Sequence, residues 1–146
     1  SFLYLGIYWN NHHHLLHTVK RVSGSILWAN LHLLFWLSLV PFTTGWMGEN
    51  EFAQWPVFIY CLNLALAGLG YFILSRRIIA VHGPESALAQ AVGKDWKGWF
   101  SLVAYAVAMA FTFVSSHAAV IIAAIPALMW LIPDRRIERV VSSGEH

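Results

Sequence analysis

Five apolar stretches, each about as long as a bilayer-spanning helix, follow one another along the chain. A helix needs about 20 mostly apolar residues to cross a hydrocarbon core of about 30 Å. The stretches occupy residues 1–19, 25–42, 55–74, 98–115 and 117–132. Only Ser115, Ser116 and His117 separate the last two, which predicts a tight helical hairpin. The sequence therefore predicts an all-α, polytopic membrane bundle that forms one transmembrane domain over residues 1–146.

The composition excludes most other classes of protein. Apolar residues make up 58% of the chain and charged residues 11%, whereas about 25% is usual for charged residues in soluble domains. The single cysteine, Cys61, excludes a disulfide framework and a cysteine-based zinc site. The formal net charge is only +2, so nothing indicates a nucleic-acid partner.

The positive charges predict the orientation in the membrane. All cations fall in three groups: Lys20 and Arg21; Arg76, Arg77, Lys94 and Lys97; Arg135, Arg136 and Arg139. The predicted loop over residues 43–54 has none and carries Glu49 and Glu51. The positive-inside rule therefore places the polar stretch 75–97, which includes a helix-compatible segment at 86–92, in the cytoplasm. The same rule places the tail, residues 133–146, in the cytoplasm. We therefore expect a multi-pass protein of the cell membrane.

Five crossings with a cytoplasmic tail would leave Ser1 outside the cell. The chain begins with Ser rather than Met and enters its first apolar run at once, with no signal peptide. We therefore expect a six-span protein whose first helix is missing from this sequence.

The first apolar stretch contains an unusual run of polar residues. Asn10, Asn11 and three consecutive histidines cover more than one face of a helix, so some must meet protein or water rather than lipid. The second stretch adds Asn30 and His32 at a similar depth. The pattern predicts a polar layer of hydrogen bonds between these two helices and at least one more.

Two other interpretations of the histidines, and one of the whole chain, stay open. His13 and His17 are spaced i, i+4 and His14 and His17 i, i+3, so they have a metal-chelating spacing. A histidine of the first stretch facing His32 or His117 would suit haem. A membrane-embedded metallo- or haem enzyme is therefore one alternative, and a secondary transporter another. We nevertheless assign no metal site, because the other histidines, His32, His82, His117 and His146, are scattered singly along the chain. We assign no catalytic residue either, because every carboxylate lies in a loop or the tail: Glu49, Glu51, Glu85, Asp95, Asp134, Glu138 and Glu145.

Short motifs in the first third of the chain resemble a known family. They are Tyr8-Trp9-x-x-His12 followed by His13, the Lys20-Arg21 turn, Leu27-Trp28-Ala29-Asn30-Leu31, and Pro41-Phe42-x-Thr44. In this order and spacing they are similar to the transmembrane protein 175 family of potassium channels. The rest of the chain matches that family only in hydropathy and in the order of its helices.

The resemblance implies a six-helix subunit that assembles as a homotetramer around a central pore. It implies passive, potassium-selective conduction, with potassium as the permeant ion, the lipid bilayer as partner and no cofactor. The family's pore is lined by its first helix, which carries an RxxxFSD motif, so the pore-lining residues are not in this sequence. A polar network supporting that helix would comprise Trp9, Asn11, His12, His13, Asn30 and His32. The outer end of the second stretch would be shaped by Pro41, Phe42 and Thr44.

Overall fold

The computed structural model describes residues 1–92, 96–131 and 142, and it consists of helices joined by short turns. The helices are α1 (Phe2–Leu16), α2 (Gly24–Ser38), α3 (Val40–Glu49), α4 (Gln54–His82), α5 (Ala87–Val92), α6 (Trp96–Phe111) and α7 (Ser116–Leu131). No strand occurs among the described residues, which confirms the all-α prediction. Lys94, Asp95 and the predicted tail, apart from residue 142, lie outside the described part of the chain.

Two helical stretches of the described chain are long and apolar enough to cross a membrane. They are Gly24–Glu49, which joins α2 to α3 over 26 residues, and Gln54–His82, which has 29 residues. The apolar helix Ser116–Leu131 is shorter. The count of five spans therefore stays a prediction.

The loop predicted over residues 43–54 is wrong, because much of it is helical. Helix α3 continues to Glu49, and the chain turns only at Glu51 and Phe52, where φ is 52° and 59°. Pro41 stands in the first turn of α3, where a missing N–H costs no hydrogen bond. Pro41 therefore lies at the beginning of α3, after a break at Leu39, and not at the end of α2.

The stretch 75–97 is also more helical than predicted. Helix α4 runs through Arg76 and Arg77 to His82 because arginine is a good helix former whose long side chain reaches polar surroundings. The helix stops at Gly83, whose φ of 92° favours glycine. Residues 87–92 form the short helix α5, as the helix-compatible segment predicted.

Helix α4 is the central element of the bundle. It packs against α2, α3, α6 and α7. One hydrophobic cluster contains Leu15, Leu33 and Leu74, and a second contains Val57, Tyr105 and other side chains nearer the opposite end. Both clusters include α4, so the other helices take their positions from it.

Helices α6 and α7 form the predicted hairpin-like pair. They are joined by residues 112–115 and pack on each other. Ala104 and Ala108 on α6 and Ala119 and Ala123 on α7 are buried. Small side chains at every fourth position of a helix allow two helices to approach closely. The predicted break between two helices is confirmed.

His82 ties the α1–α2 turn to the end of α4. Its Nε2 accepts hydrogen bonds from the backbone N–H groups of Lys20 at 2.9 Å and Arg21 at 3.1 Å. Its Nδ1–H donates to the carbonyl of Ile78 at 2.9 Å. The Arg21 guanidinium donates to the carbonyl of Val81 at 2.8 Å. The basic turn after α1 and the end of α4 therefore lie at the same end of the bundle.

Candidate functional site

The polar run of α1 divides between two faces of the helix. Asn11 and His12 are buried, with 5% and 4% of their surface exposed. His13 and His17 are exposed, and His14 is half-buried. The predicted polar layer is therefore built by Asn11 and His12 on the face that meets the other helices.

His12 joins α1 to α2 through one short hydrogen bond. Its Nε2–H donates to Oδ1 of Asn30 at 2.6 Å. Since a carbonyl oxygen only accepts, this bond fixes the hydrogen on Nε2. The ring of Trp9 lies 6.2 Å from that of His12 and leaves 63% of its surface exposed. The bond places a polar cross-link between two otherwise apolar helices.

Asn11 joins α1 to α7 in the same way. Its Nδ2 donates to the carbonyl of Ile7 at 2.9 Å and to the carbonyl of Trp130 at 3.0 Å. Trp130 belongs to the last turn of α7, where carbonyls have no partner within the helix. Tyr71 of α4 donates to the carbonyl of Asn11 at 3.5 Å. Asn11 and His12 therefore hold α1 between α2 on one side and α7 on the other.

Two residues of the predicted network lie outside these contacts. His32 is exposed, and its Nε2 accepts from Nε1 of Trp36 on the same helix at 3.1 Å. His13 is exposed and pairs with His17, with 3.1 Å between their Nε2 atoms. Adjacent residues on a helix face different directions, so His12 and Asn30 bond to each other while His13 and His32 lie on exposed surface. The role of these residues as supports of a pore helix stays a prediction.

The residues expected at the outer end of the second stretch lie at the start of α3. Pro41 and Phe42 are exposed, and 69% of the Phe42 surface is free. The hydroxyl of Thr44 donates to the carbonyl of Val40 at 2.6 Å, within its own helix. Phe42 and Pro41 thus face the surroundings of the bundle, while Thr44 satisfies its hydroxyl locally.

A buried polar contact that the sequence analysis missed lies beside them. The hydroxyl of Thr43 donates to Oδ1 of Asn63 at 3.0 Å, and Nδ2 of Asn63 donates to the carbonyl of Trp36 at 2.9 Å. Asn63 is 4% exposed. Its amide therefore fastens α4 to both sides of the break at Leu39. A lone asparagine in an apolar stretch is a signal for such a contact, because a polar group in the membrane needs a partner.

A tyrosine cluster was also missed. The hydroxyls of Tyr4 on α1 and Tyr105 on α6 are hydrogen-bonded to each other. Tyr8, one turn after Tyr4, lines a cavity of about 30 Å³ together with both and with Asn11. This volume suits water, which requires polar partners of this kind. Because tyrosine was counted among the apolar residues, the sequence pattern gave no sign that these hydroxyls meet.

The possible metal ligands of the described residues bear on the metal and haem interpretations. In the described ranges 1–92 and 96–131, no group of three or more His, Cys, Asp or Glu side chains is close enough to hold a metal ion. Cys61 is a buried free thiol. Nε2 of His12 is hydrogen-bonded to Asn30, so that nitrogen is not free to bind iron.

The part of the chain that carries His12 and Asn30 matches a known family. The family described as endosomal/lysosomal potassium channel TMEM175 matches residues 1–41, which span α1, α2 and the start of α3. A protein named as a potassium channel from a Chryseobacterium species is 50% identical over 139 residues, which cover 95% of this chain and 72% of that protein. The chain belongs to the TMEM175 family.

A second relative supports TMEM175 membership over a shorter stretch. A protein named as a potassium channel from Streptomyces collinus is 39% identical over 49 residues, or 34% of this chain and 24% of that protein. No solved structure matches the chain significantly. The resemblance noted from Trp9, His12, Asn30 and the Pro41 motif is therefore confirmed at the level of the TMEM175 family.

Replacing His12 with alanine tests the link between α1 and α2 in this TMEM175 chain. The substitution leaves Oδ1 of Asn30 without its donor, and we expect a loss of about 1–3 kcal/mol in the free energy of unfolding. Denaturant unfolding of the purified protein in detergent measures it. His32→Ala is the control, because the hydrogen bond of the exposed His32 in the described part of the chain lies within α2. Equal stability of the two variants would show that the His12–Asn30 bond contributes nothing.

Proposed function

We propose that the chain is a subunit of a potassium-selective channel that conducts ions passively through the central pore of a homotetramer. As a member of the TMEM175 family it is an ion channel protein and not an enzyme. The observation that carries the proposal is the 50% identity, over 95% of the chain, to a protein named as a potassium channel. Conduction down a gradient needs neither a cofactor nor a chemical step, and the permeant ion is potassium.

The polar contacts of α1 act in this proposal as supports of the pore and not as ligands of potassium. The His12–Asn30 and Asn11–Trp130 bonds hold α1 at a fixed position between α2 and α7. A helix held in this way presents a fixed surface to whatever helix lines the pore. Channels select ions with backbone carbonyls, hydroxyls and constrictions, so side chains already bonded to each other suit a supporting role.

Exposed residues of α1 and α2 support a proposal for the surface that faces the pore. Trp9, His13 and His32 are exposed in the single chain, yet imidazoles at membrane depth are costly against lipid. In the proposed assembly this face of α1 and α2 lies against protein or a water-filled vestibule. The family's pore-lining helix or a neighbouring subunit would meet it there.

The charge distribution supports an orientation in the cell membrane with the C-terminus in the cytoplasm. Lys20 and Arg21 lie against the end of α4, one turn beyond Arg77. Lys97 lies over the ring of Trp130, near the end of α7, at 5.2 Å. The acidic α3–α4 turn with Glu49 lies at the other end of α4. Cations at one end and acids at the other agree with the positive-inside rule, and the bilayer is the partner of the apolar surface.

Reconstitution of the full-length protein tests conduction directly. Liposomes that contain the protein and a potassium gradient should release potassium, and replacing potassium by sodium on both sides should slow the flux. Native mass spectrometry of the same sample should give the mass of four chains. Protein-free liposomes with a potassium ionophore are the control. A sample without potassium flux, in liposomes whose ionophore control works, would contradict the proposed function.

A further inference from the structure

Two histidines on the exposed face of α1 take no part in the contacts between helices described above. His13 and His17 are one turn apart and both exposed, and their ring centroids are 4.5 Å apart with the planes at 81°. Their Nε2 atoms are 3.1 Å apart. Two aromatic nitrogens thus approach each other at a surface position.

We propose that His13 and His17 bind one divalent transition-metal ion, with water completing its coordination. Zinc–nitrogen bonds of about 2.0–2.1 Å place two nitrogens of the same ion about 2.9–3.4 Å apart, for angles between square-planar and tetrahedral. The observed 3.1 Å lies within this interval. The two nitrogens therefore already have the separation that one ion requires, and rotation of the two rings would aim both lone pairs at it.

The donor atoms decide the class of ion. Imidazole nitrogen suits Zn²⁺, Ni²⁺ and Cu²⁺, whereas Mg²⁺ and Ca²⁺ prefer oxygen ligands. The potassium that the proposed channel conducts is therefore not a competitor for this site. Lys20 and Arg21 follow three and four residues after His17, and their charge opposes cation binding. We accordingly expect a moderate affinity that depends on both histidines.

The position of His13 and His17 at the end of α1 means that a bound ion would stabilise the last turn of this helix. His17 caps the C-terminal end of α1, and His13 lies one turn before it. An ion bound to both holds the last turn of α1 closed, next to the α1–α2 turn that His82 fixes. The α1–α2 turn would therefore be more rigid when the metal ion is bound than when it is absent.

Metal titration of the full-length, tag-free protein in detergent tests the site. Calorimetry with Zn²⁺ alone should show one ion per chain, and the spectrum of bound Cu²⁺ in electron paramagnetic resonance should show two imidazole nitrogens. His17→Ala should weaken binding by about tenfold or more, because the second imidazole no longer acts at high effective concentration. It should also leave one nitrogen in the Cu²⁺ spectrum.

His14→Ala is the matched control, since it removes a neighbouring histidine of the same turn and keeps the pair. Its affinity and Cu²⁺ spectrum should equal those of the wild type. Elution of all three proteins at the same volume shows that they are folded alike. The proposal is overturned if the wild type binds no Zn²⁺, or if His17→Ala binds it as tightly as the wild type. Because the readout is binding, this outcome is independent of potassium flux.

Discussion

Replacing Asn63 with leucine is expected to lower the free energy of unfolding by about 1–3 kcal/mol, because it removes two hydrogen bonds between helices. Their partners are the carbonyl of Trp36 and the hydroxyl of Thr43, which lie on opposite sides of the break at Leu39 and keep only local bonds, to the Leu39 N–H and the Val40 carbonyl. Leucine has the same branched arrangement of side-chain heavy atoms, so it leaves no cavity at position 63. The loss therefore reports the hydrogen bonds and not a cavity.

Thr43→Val separates the two contributions of Asn63. Valine keeps the shape of threonine and removes the hydroxyl that bonds to Oδ1 of Asn63 and to the carbonyl of Val40. We expect a loss of about 1 kcal/mol, the usual contribution of a hydrogen bond between membrane helices. Unfolding in detergent with increasing denaturant, followed by circular dichroism, compares both variants with the wild type. Equal losses in the two variants would mean that the Trp36 carbonyl does not need the Asn63 amide.

Hydropathy was sufficient to predict that the chain is helical and where its apolar helices lie along the sequence, but not where they end. The apolar pattern stops near Leu74, whereas α4 continues to His82 because Arg76 and Arg77 favour the helix and reach polar surroundings. Pro41 suggested the end of a helix, whereas it begins one. Ends depend on local capping and turn geometry, and hydropathy does not contain that information.

The candidate site was predictable in its residues but not in its pairing. The motif identified His12 and Asn30, which the structure joins. It also included His13 and His32, which face elsewhere. An almost uniformly apolar helix gives no amphipathic signal for its rotation. Which polar residue meets which partner is therefore fixed by packing, and only the structure shows it.

Replacing Gly70 with valine is expected to lower the free energy of unfolding by about 1–3 kcal/mol, because the contact between α2 and α4 is too close for a branched side chain. A Cβ atom at position 70 would lie 3.1 Å from Cα of Leu33 and 3.4 Å from its Cβ. The first of these is a backbone atom, so the clash is not relieved by a change of rotamer. The two helices must move apart, and they share one of the largest contacts in the bundle.

Gly6→Val is the matched control for this variant. Gly6 also lies within a helix, but a Cβ there meets nothing within 4 Å. Valine at this position should cost little, because it is a better helix former than glycine. Thermal unfolding in detergent then separates the effect of the side chain on helix formation from its effect on packing. Similar melting temperatures for Gly70→Val and Gly6→Val would contradict the close approach of α2 and α4.

The same glycine should influence the polar link to α1. Leu33 lies one turn after Asn30 on α2, so a shift of α2 away from α4 also moves the acceptor that His12 binds. A double-mutant cycle with Gly70→Ala and His12→Ala measures this coupling. We expect His12→Ala to cost less in the Gly70→Ala background, because the 2.6 Å bond is already weakened there. An unchanged cost would mean that α1 follows α2 as a unit when α2 moves.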